Sequence, residues 1–143
     1  MHMRRLFVVL LVLSMLVLQA GALAQEGTGE AAITAVTEQN AYGSVVYPQL
    51  TGLAQTAVQD DINKAILENG QIAEHLQTLS GLKEGGWGLT VNYESTLQNG
   101  ILSVLIGAYG EMPNGRMGQT YAAVNENLQT GKPITAADLF TDV

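Results

Sequence analysis

The chain has 143 residues, thirteen acidic against six basic side chains, a formal net charge of −7 and no cysteine. That excludes a disulfide framework, thiol catalysis and thiolate metal sites. The acidity argues against nucleic acid, whose phosphates require basic neutralisation, and against adhesion to anionic lipid headgroups.

Residues 1–24 carry the three parts of a secretory signal. Arg4 and Arg5 open it, residues 6–18 are apolar apart from Ser14, and Ala22-Leu23-Ala24 offers small residues where a signal peptidase cuts. The apolar run is short of the roughly 20 residues a bilayer core needs, so the expectation is cleavage near Ala24, a secreted protein and no stable membrane anchor afterwards. Retention of the segment as an anchor is the alternative. Arg4-Arg5 also resembles a twin-arginine signal, but the strongly apolar run fits the general export route better. After cleavage only Lys64, Lys83, Arg116 and Lys132 face all thirteen acids.

Residues 25–30 read as a flexible leader and residues 31–143 as one domain. Residues 31–38 alternate weakly, and Val45-Val46-Tyr47 reads as a second short strand closed by Pro48, whose preceding residue avoids helical geometry. From residue 54 to 79 the period changes. Val58, Ile62, Ala65, Ile66, Ile72, Ala73, Leu76 and Leu79 recur at spacings of three and four, the stripe of an amphipathic helix. Asp60 and Asp61 fall near its start, where carboxylates complement the helix dipole. Gly70 costs about 1 kcal/mol relative to Ala in a helix interior and marks a place where the helix can break; Gly81 is its stop.

Leu89, Val91, Tyr93, Ser95 and Leu97 alternate with polar neighbours, predicting a strand with one wet face. Asn99-Gly100 is a strong hairpin signal. Residues 101–109 are apolar on both faces and predict a central strand covered on both sides. Residues 112–116 form a loop, residues 120–128 a further strand, and Thr130-Gly131-Lys132 a turn. Thr135 then stands three residues before Asp138, the spacing of a capping box. The fold class expected is α+β: an antiparallel sheet packed against one long amphipathic helix, broken or continuous at Gly70.

Chemistry is sparse. His75, the one histidine after cleavage, is expected as a half-exposed residue on the helix flank. Zinc with one histidine and no cysteine needs an uncommon carboxylate-rich set, so no metal and no cofactor is expected. Asp60-Asp61 read as helix-start acids rather than a catalytic pair, because helix neighbours point apart. The segments 110–116 and Gly131-Lys132 complete no phosphate loop: Glu126 stands where a glycine is required, and Pro133 where Ser or Thr should follow the lysine. Two features suit binding. Trp87 stands among glycines, either gripping a sugar or partner protein or capping the core beside the helix end. The loop at Asn114 and Arg116 holds the sole arginine after cleavage, suited to a partner's acidic group. The binding residues expected are Trp87, Asn114 and Arg116.

Four motifs follow in order: Tyr47-Pro48-Gln49-Leu50, Asp61-Ile62-Asn63-x-x-Ile66, Asn99-Gly100-Ile101-Leu102-Ser103-Val104, and Leu128-x-Thr130-Gly131-Lys132-x-Ile134-x-x-x-Asp138-Leu139-Phe140. Together they resemble the extracytoplasmic, non-catalytic domain ahead of the catalytic domain in PdaC-type peptidoglycan deacetylases, and the outer region of RsiV-type anti-sigma factors. The likeness spans residues 31–143. It implies a cell-envelope module whose partner is peptidoglycan or a wall-active protein such as lysozyme. It also implies that the Asp-Leu-Phe step leads into a further segment, so the chain is expected to be truncated. Where many relatives have a Gly-Ala-His step after the central strand, this chain has Pro113-Asn114-Gly115-Arg116, and a role for that histidine does not carry over. The rival expectation is a peptidoglycan hydrolase or deacetylase, or a fragment of one. An anti-sigma sensor needs a cytoplasmic domain before the membrane segment, and only five residues precede Leu6. Independently of the likeness, Asn63 is a poor helix former unless its amide bonds something, such as the adjacent strand.

Overall fold

The computed structural model describes residues 30–112, 114–115 and 117–139. Five strands form one sheet in the order β1-β2-β3-β4-β5: β1 Ala32–Asn40, β2 Gly43–Thr51, β3 Gly88–Gln98, β4 Ile101–Glu111 and β5 Met117–Asn127. Between β2 and β3 run two helices, α1 Thr56–Asn69 and α2 Ile72–Gly81; a single helical turn, α3 Ala136–Leu139, follows β5. The α+β class is as expected. The expected signal at residues 1–24, most of the leader, Arg116 and Phe140 lie outside the described residues.

Three seams are antiparallel. The β2–β3 seam is parallel and short, pairing residues 43–45 with 89–91, because a link through helices returns the chain in the same direction. Beyond Val45, β2 has left β3, and its free backbone edge needs other partners. Asn63 of α1 supplies them. Its Oδ1 accepts the Leu50 N–H at 2.7 Å and its Nδ2 donates to the Leu50 carbonyl at 2.9 Å. The side-chain amide stands in for a neighbouring strand and fixes α1 on the sheet.

The same edge explains Pro48, which does not close its strand: β2 continues to Thr51 with Pro48 opposite Ala35. Leu50 turns its N–H away from β1, so Pro48, two residues earlier, has its nitrogen on that same side, and no bond to β1 is lost.

The helical stripe splits at Gly70. Gln71 adopts a left-handed φ of 53°, which restarts the helix in a new phase. Ile62, Ile66, Ile72 and Leu79 are buried, whereas Ala73, expected in the stripe, is exposed. Asp60 and Asp61 are a correction too. The helix begins at Thr56 and its first turn holds no acid, so they sit beyond the positions that complement the dipole.

At the tight turn between β3 and β4, Asn99 and Gly100 have φ of 54° and 74° with Gln98 opposite Ile101, the positive-φ pair of a two-residue hairpin. β4 is central as expected but covered on one face only. Leu102, Val104 and Ile106 are buried in the core cluster with the helices, while Leu105 on the opposite face is 42% exposed. On this outer face Gly107 is covered by the rings of Tyr109 and Tyr121, whereas Leu105 stays open to solvent. At the other end, the Thr135 N–H and hydroxyl both donate to Asp138 Oδ2 at 2.7 Å. Only the Asp138 half of the capping box forms, since the Asp138 N–H bonds the Thr135 carbonyl and not its hydroxyl. The bonds from Thr135 hold the Asp138 carboxyl below its ordinary range.

Glu126 of β5 faces inward at 1% exposure, and its Oε2 has no hydrogen-bond partner. Its backbone bridges to Pro133 beyond the edge of the sheet, and desolvation pushes its carboxyl above the usual 4.5. Folding therefore opposes ionisation: this residue's contribution to stability declines as pH rises from the unfolded value through the folded one. Glu126→Gln should raise stability at pH 7 and remove that part of the decline. Urea unfolding between pH 4 and pH 8 checks this, and an unchanged pH slope in the variant would contradict it.

Candidate binding cleft at Trp87

The cleft forms where the end of α2, the start of β3 and the adjoining ends of β4 and β5 meet. Asn40 holds this corner. Its Oδ1 accepts the Tyr42 N–H at 2.8 Å, closing the β1–β2 turn, and its Nδ2 donates to the Leu79 carbonyl at 2.8 Å. The Leu79 carbonyl, which also accepts the Leu82 N–H at 3.3 Å, thereby takes a second bond that ties the end of α2 to the β1–β2 turn. The chain then turns tightly, with Gly86 N–H bonded to the Lys83 carbonyl at 3.0 Å and Gly85 at φ 73°. It enters β3 with Leu89 N–H on the Tyr42 carbonyl at 3.2 Å.

Trp87 is the last residue before β3 and is 51% exposed. Its ring lies against Gly110 of β4, where an added Cβ would come to 3.5 Å of the indole. That distance is ordinary van der Waals contact, so the ring packs on the strand with room left for a methyl group.

A groove of about 320 Å3 opens beside the ring. It is lined by Leu89 and Ala108 at the margin of the core, by Gly118, Gln119 and Thr120 of β5, and by His75, Thr78 and Leu82 from α2 and the segment after it. On the other flank of Trp87 lies a second groove of about 390 Å3, lined by Tyr42, Glu111, Met112 and Gly115. The indole is thus the ridge between two grooves, each at the low end of ligand-site volumes.

Of the expected binding residues, Trp87 is central. Asn114 is exposed in the turn at residues 112–115, whose Met112 and Gly115 line the second groove. The two features picked out separately in the sequence therefore share one corner of the fold. Arg116 lies outside the described residues. His75 is half-buried on the helix flank as expected, and burial lowers its pKa below 6.5 against a smaller opposing effect of Glu74. It is therefore a neutral imidazole at pH 7, able to donate and accept one hydrogen bond each. Among the described residues no group of His, Asp and Glu is placed to hold a metal, and no helix is long and apolar enough to cross a membrane.

Sequence reasoning missed Gln119, Thr120 and Tyr42. The Asn40-x-x-Gly43 spacing, an Asx-type turn, was a usable signal for the hairpin that brings Tyr42 here.

No protein-family model and no curated protein matches the sequence. Among solved structures the chain is similar to a DUF3298 family protein from Bacteroides fragilis NCTC 9343, with TM-score 0.51 and 12% identity over 82% of this chain and 63% of that one. A DUF3298 family protein from Pseudomonas aeruginosa PAO1 gives 0.50 and 16% over 79% of this chain and 58% of that one. What is shared is the fold. DUF3298 proteins are known as PdaC-like N-terminal domains, so the fold agrees with the resemblance read from the four motifs, while no sequence match carries the family. The chain spans less than two thirds of the length of either structure.

Proposed function

We propose that the chain is an exported, non-catalytic module of the bacterial cell envelope that grips a wall glycan or a wall-active protein at the Trp87 cleft. The observation that carries this reading is the half-exposed indole resting on Gly110 between two open grooves. A flat aromatic ring offers an apolar face to a sugar ring or partner side chain at little entropic cost. Beside it, the amide of Gln119, the hydroxyls of Thr78 and Thr120 and the neutral imidazole of His75 supply donors and acceptors. The PdaC-type resemblance supplies the partner class, and the export signal supplies the compartment.

The second reading, a wall hydrolase or deacetylase, would have to use His75. No acid is among the residues lining its groove. Glu74, whose charge reaches the imidazole, is its helix neighbour and projects in a different direction, unlike the hydrogen-bonded carboxylate that orients a catalytic base.

Trp87→Ala is expected to weaken binding of soluble peptidoglycan fragments or lysozyme by about 2 kcal/mol, roughly thirtyfold. Its unfolding free energy should fall by less than about 1 kcal/mol, because half the ring is already in water. Calorimetric titration with a parallel urea melt reads both. Equal losses would make Trp87 a packing residue. Turnover of wall fragments abolished by His75→Ala would replace the binding reading by the enzymatic one.

A further inference from the structure

The outer face of the sheet carries a second, separate constellation. Strand register places Asn92 of β3, Gly107 of β4 and Tyr121 of β5 in one row, with Tyr109 and Leu105 on either side of Gly107 along β4 and Glu94 beside Leu105. The Tyr109 and Tyr121 rings stand at 89° with centroids 6.1 Å apart, their hydroxyls 3.1 Å from each other. Both close over Gly107, where a Cβ would meet each ring at 3.1–3.2 Å. Tyr121 is nevertheless 55% exposed. Asn92, Glu94, Leu105, Gly107 and the two tyrosines bound a niche of about 190 Å3.

The electrostatics of the niche have one sign. Glu94 is its acidic side chain, no lysine or arginine lines it, and among the described residues none forms an ion pair with Glu94. Its charge reaches the Tyr109 hydroxyl, held above its ordinary pKa first by the bond to Tyr121, then by burial and by the charges of Tyr121 and Glu94. Tyrosine faces attract cations through the ring quadrupole, and a carboxylate adds a full charge and two acceptor oxygens. The whole chain carries −7, which draws in basic partners. An anionic ligand finds no counter-charge here.

We propose that the niche at Tyr109, Tyr121 and Glu94 receives an arginine or lysine side chain of a basic protein partner. The guanidinium or ammonium group lies against the tyrosine faces with its N–H groups on Glu94 and on the second lone pair of Asn92 Oδ1, which already accepts the Tyr93 N–H at 2.9 Å. This site is on the opposite face of the sheet from the Trp87 groove and stands independently of the ligand assigned there.

The test uses the purified protein and the peptide acetyl-(Arg-Gly)4-amide, followed by titration calorimetry at low salt. Saturable binding is expected, weakened roughly three- to tenfold by Glu94→Gln and by Tyr121→Ala, and retained by Tyr121→Phe, which keeps the ring. Glu38→Gln, an exposed acid on β1, should change affinity less than twofold. Thermal melts identify a variant that fails to fold, in which case Tyr121→Phe against Glu94→Gln decides. Absence of saturable binding, or equal weakening by Glu38→Gln, overturns the proposal. So does a neutral chito-oligosaccharide that competes for the niche. Loss at Trp87→Ala with none at Tyr121→Ala overturns it as well, and leaves the Trp87 cleft as the peptide's site.

Discussion

Asn63→Ala is expected to lower the unfolding free energy by about 2–4 kcal/mol, since it deletes two hydrogen bonds and strands the buried N–H and carbonyl of Leu50. Thermal unfolding should fall by on the order of 10 °C or more. The reason is topological. β2 pairs with β3 over three residues only, so one amide on α1 replaces what a longer seam would have supplied. Asn63→Asp sharpens the test. The new carboxylate still accepts the Leu50 N–H but sets an anionic oxygen against the Leu50 carbonyl. Protonation restores a donor, so this variant should be strongly destabilised at pH 7 and should recover relative to wild type as pH falls toward about 4. Urea melts across that range read the effect. An Asn63→Ala protein as stable as wild type would remove the amide from the account.

Gly70→Ala is expected to destabilise by about 1–3 kcal/mol, although propensity alone predicts a gain of up to about 1 kcal/mol. The φ of −76° suits any residue, so conformational freedom is not why glycine stands here. A Cβ would come to 2.6 Å of the Ile66 carbonyl oxygen and would also collide with Cδ1 of Ile106 on β4. The break between the helices is pressed onto the central strand, and only a residue without a side chain fits. Ile106→Val removes the colliding methyl, so the double variant should cost less than the sum of the single changes, a coupling that a double-mutant cycle measures. A stabilised Gly70→Ala protein would show that the helix break has room to spare.

These two positions also show how far the sequence could be read. Asn63 was legible as an anomaly: a poor helix former in mid-stripe needs a partner, and the strand at Leu50 is that partner. The Asn99-Gly100 hairpin and the Thr135–Asp138 cap were legible because both are local and fixed by spacing. Gly70 announced a break, but the collision with Ile106 is a contact between distant segments that no local pattern carries. The parallel seam was hidden for the same kind of reason. Its three pairs leave almost no signature in β2, where Pro48 instead suggests an end. The apolar run of β4 led to an expectation of two covered faces; the uncovered face carries an exposed Leu105, and Tyr109, whose ring meets Tyr121. At the cleft, Trp87 and the turn at residues 112–115 were both singled out, yet their common location follows only from the register of β3 with β4. Gln119 and Thr120 sit on a strand whose alternation was visible, but which side faced the groove was not.

The central claim is that ligand is held at the Trp87 cleft without turnover. The most direct measurement is a 15N-correlated NMR titration of the protein with soluble peptidoglycan fragments, taken to saturation and followed for a day. The account predicts shifts concentrated at the Trp87 indole N–H, His75, Gly110, Gly118 and Gln119, with the fragments unchanged at the end. Shifts that spare this corner, an absence of shifts, or fragments cleaved or deacetylated during the titration would contradict it.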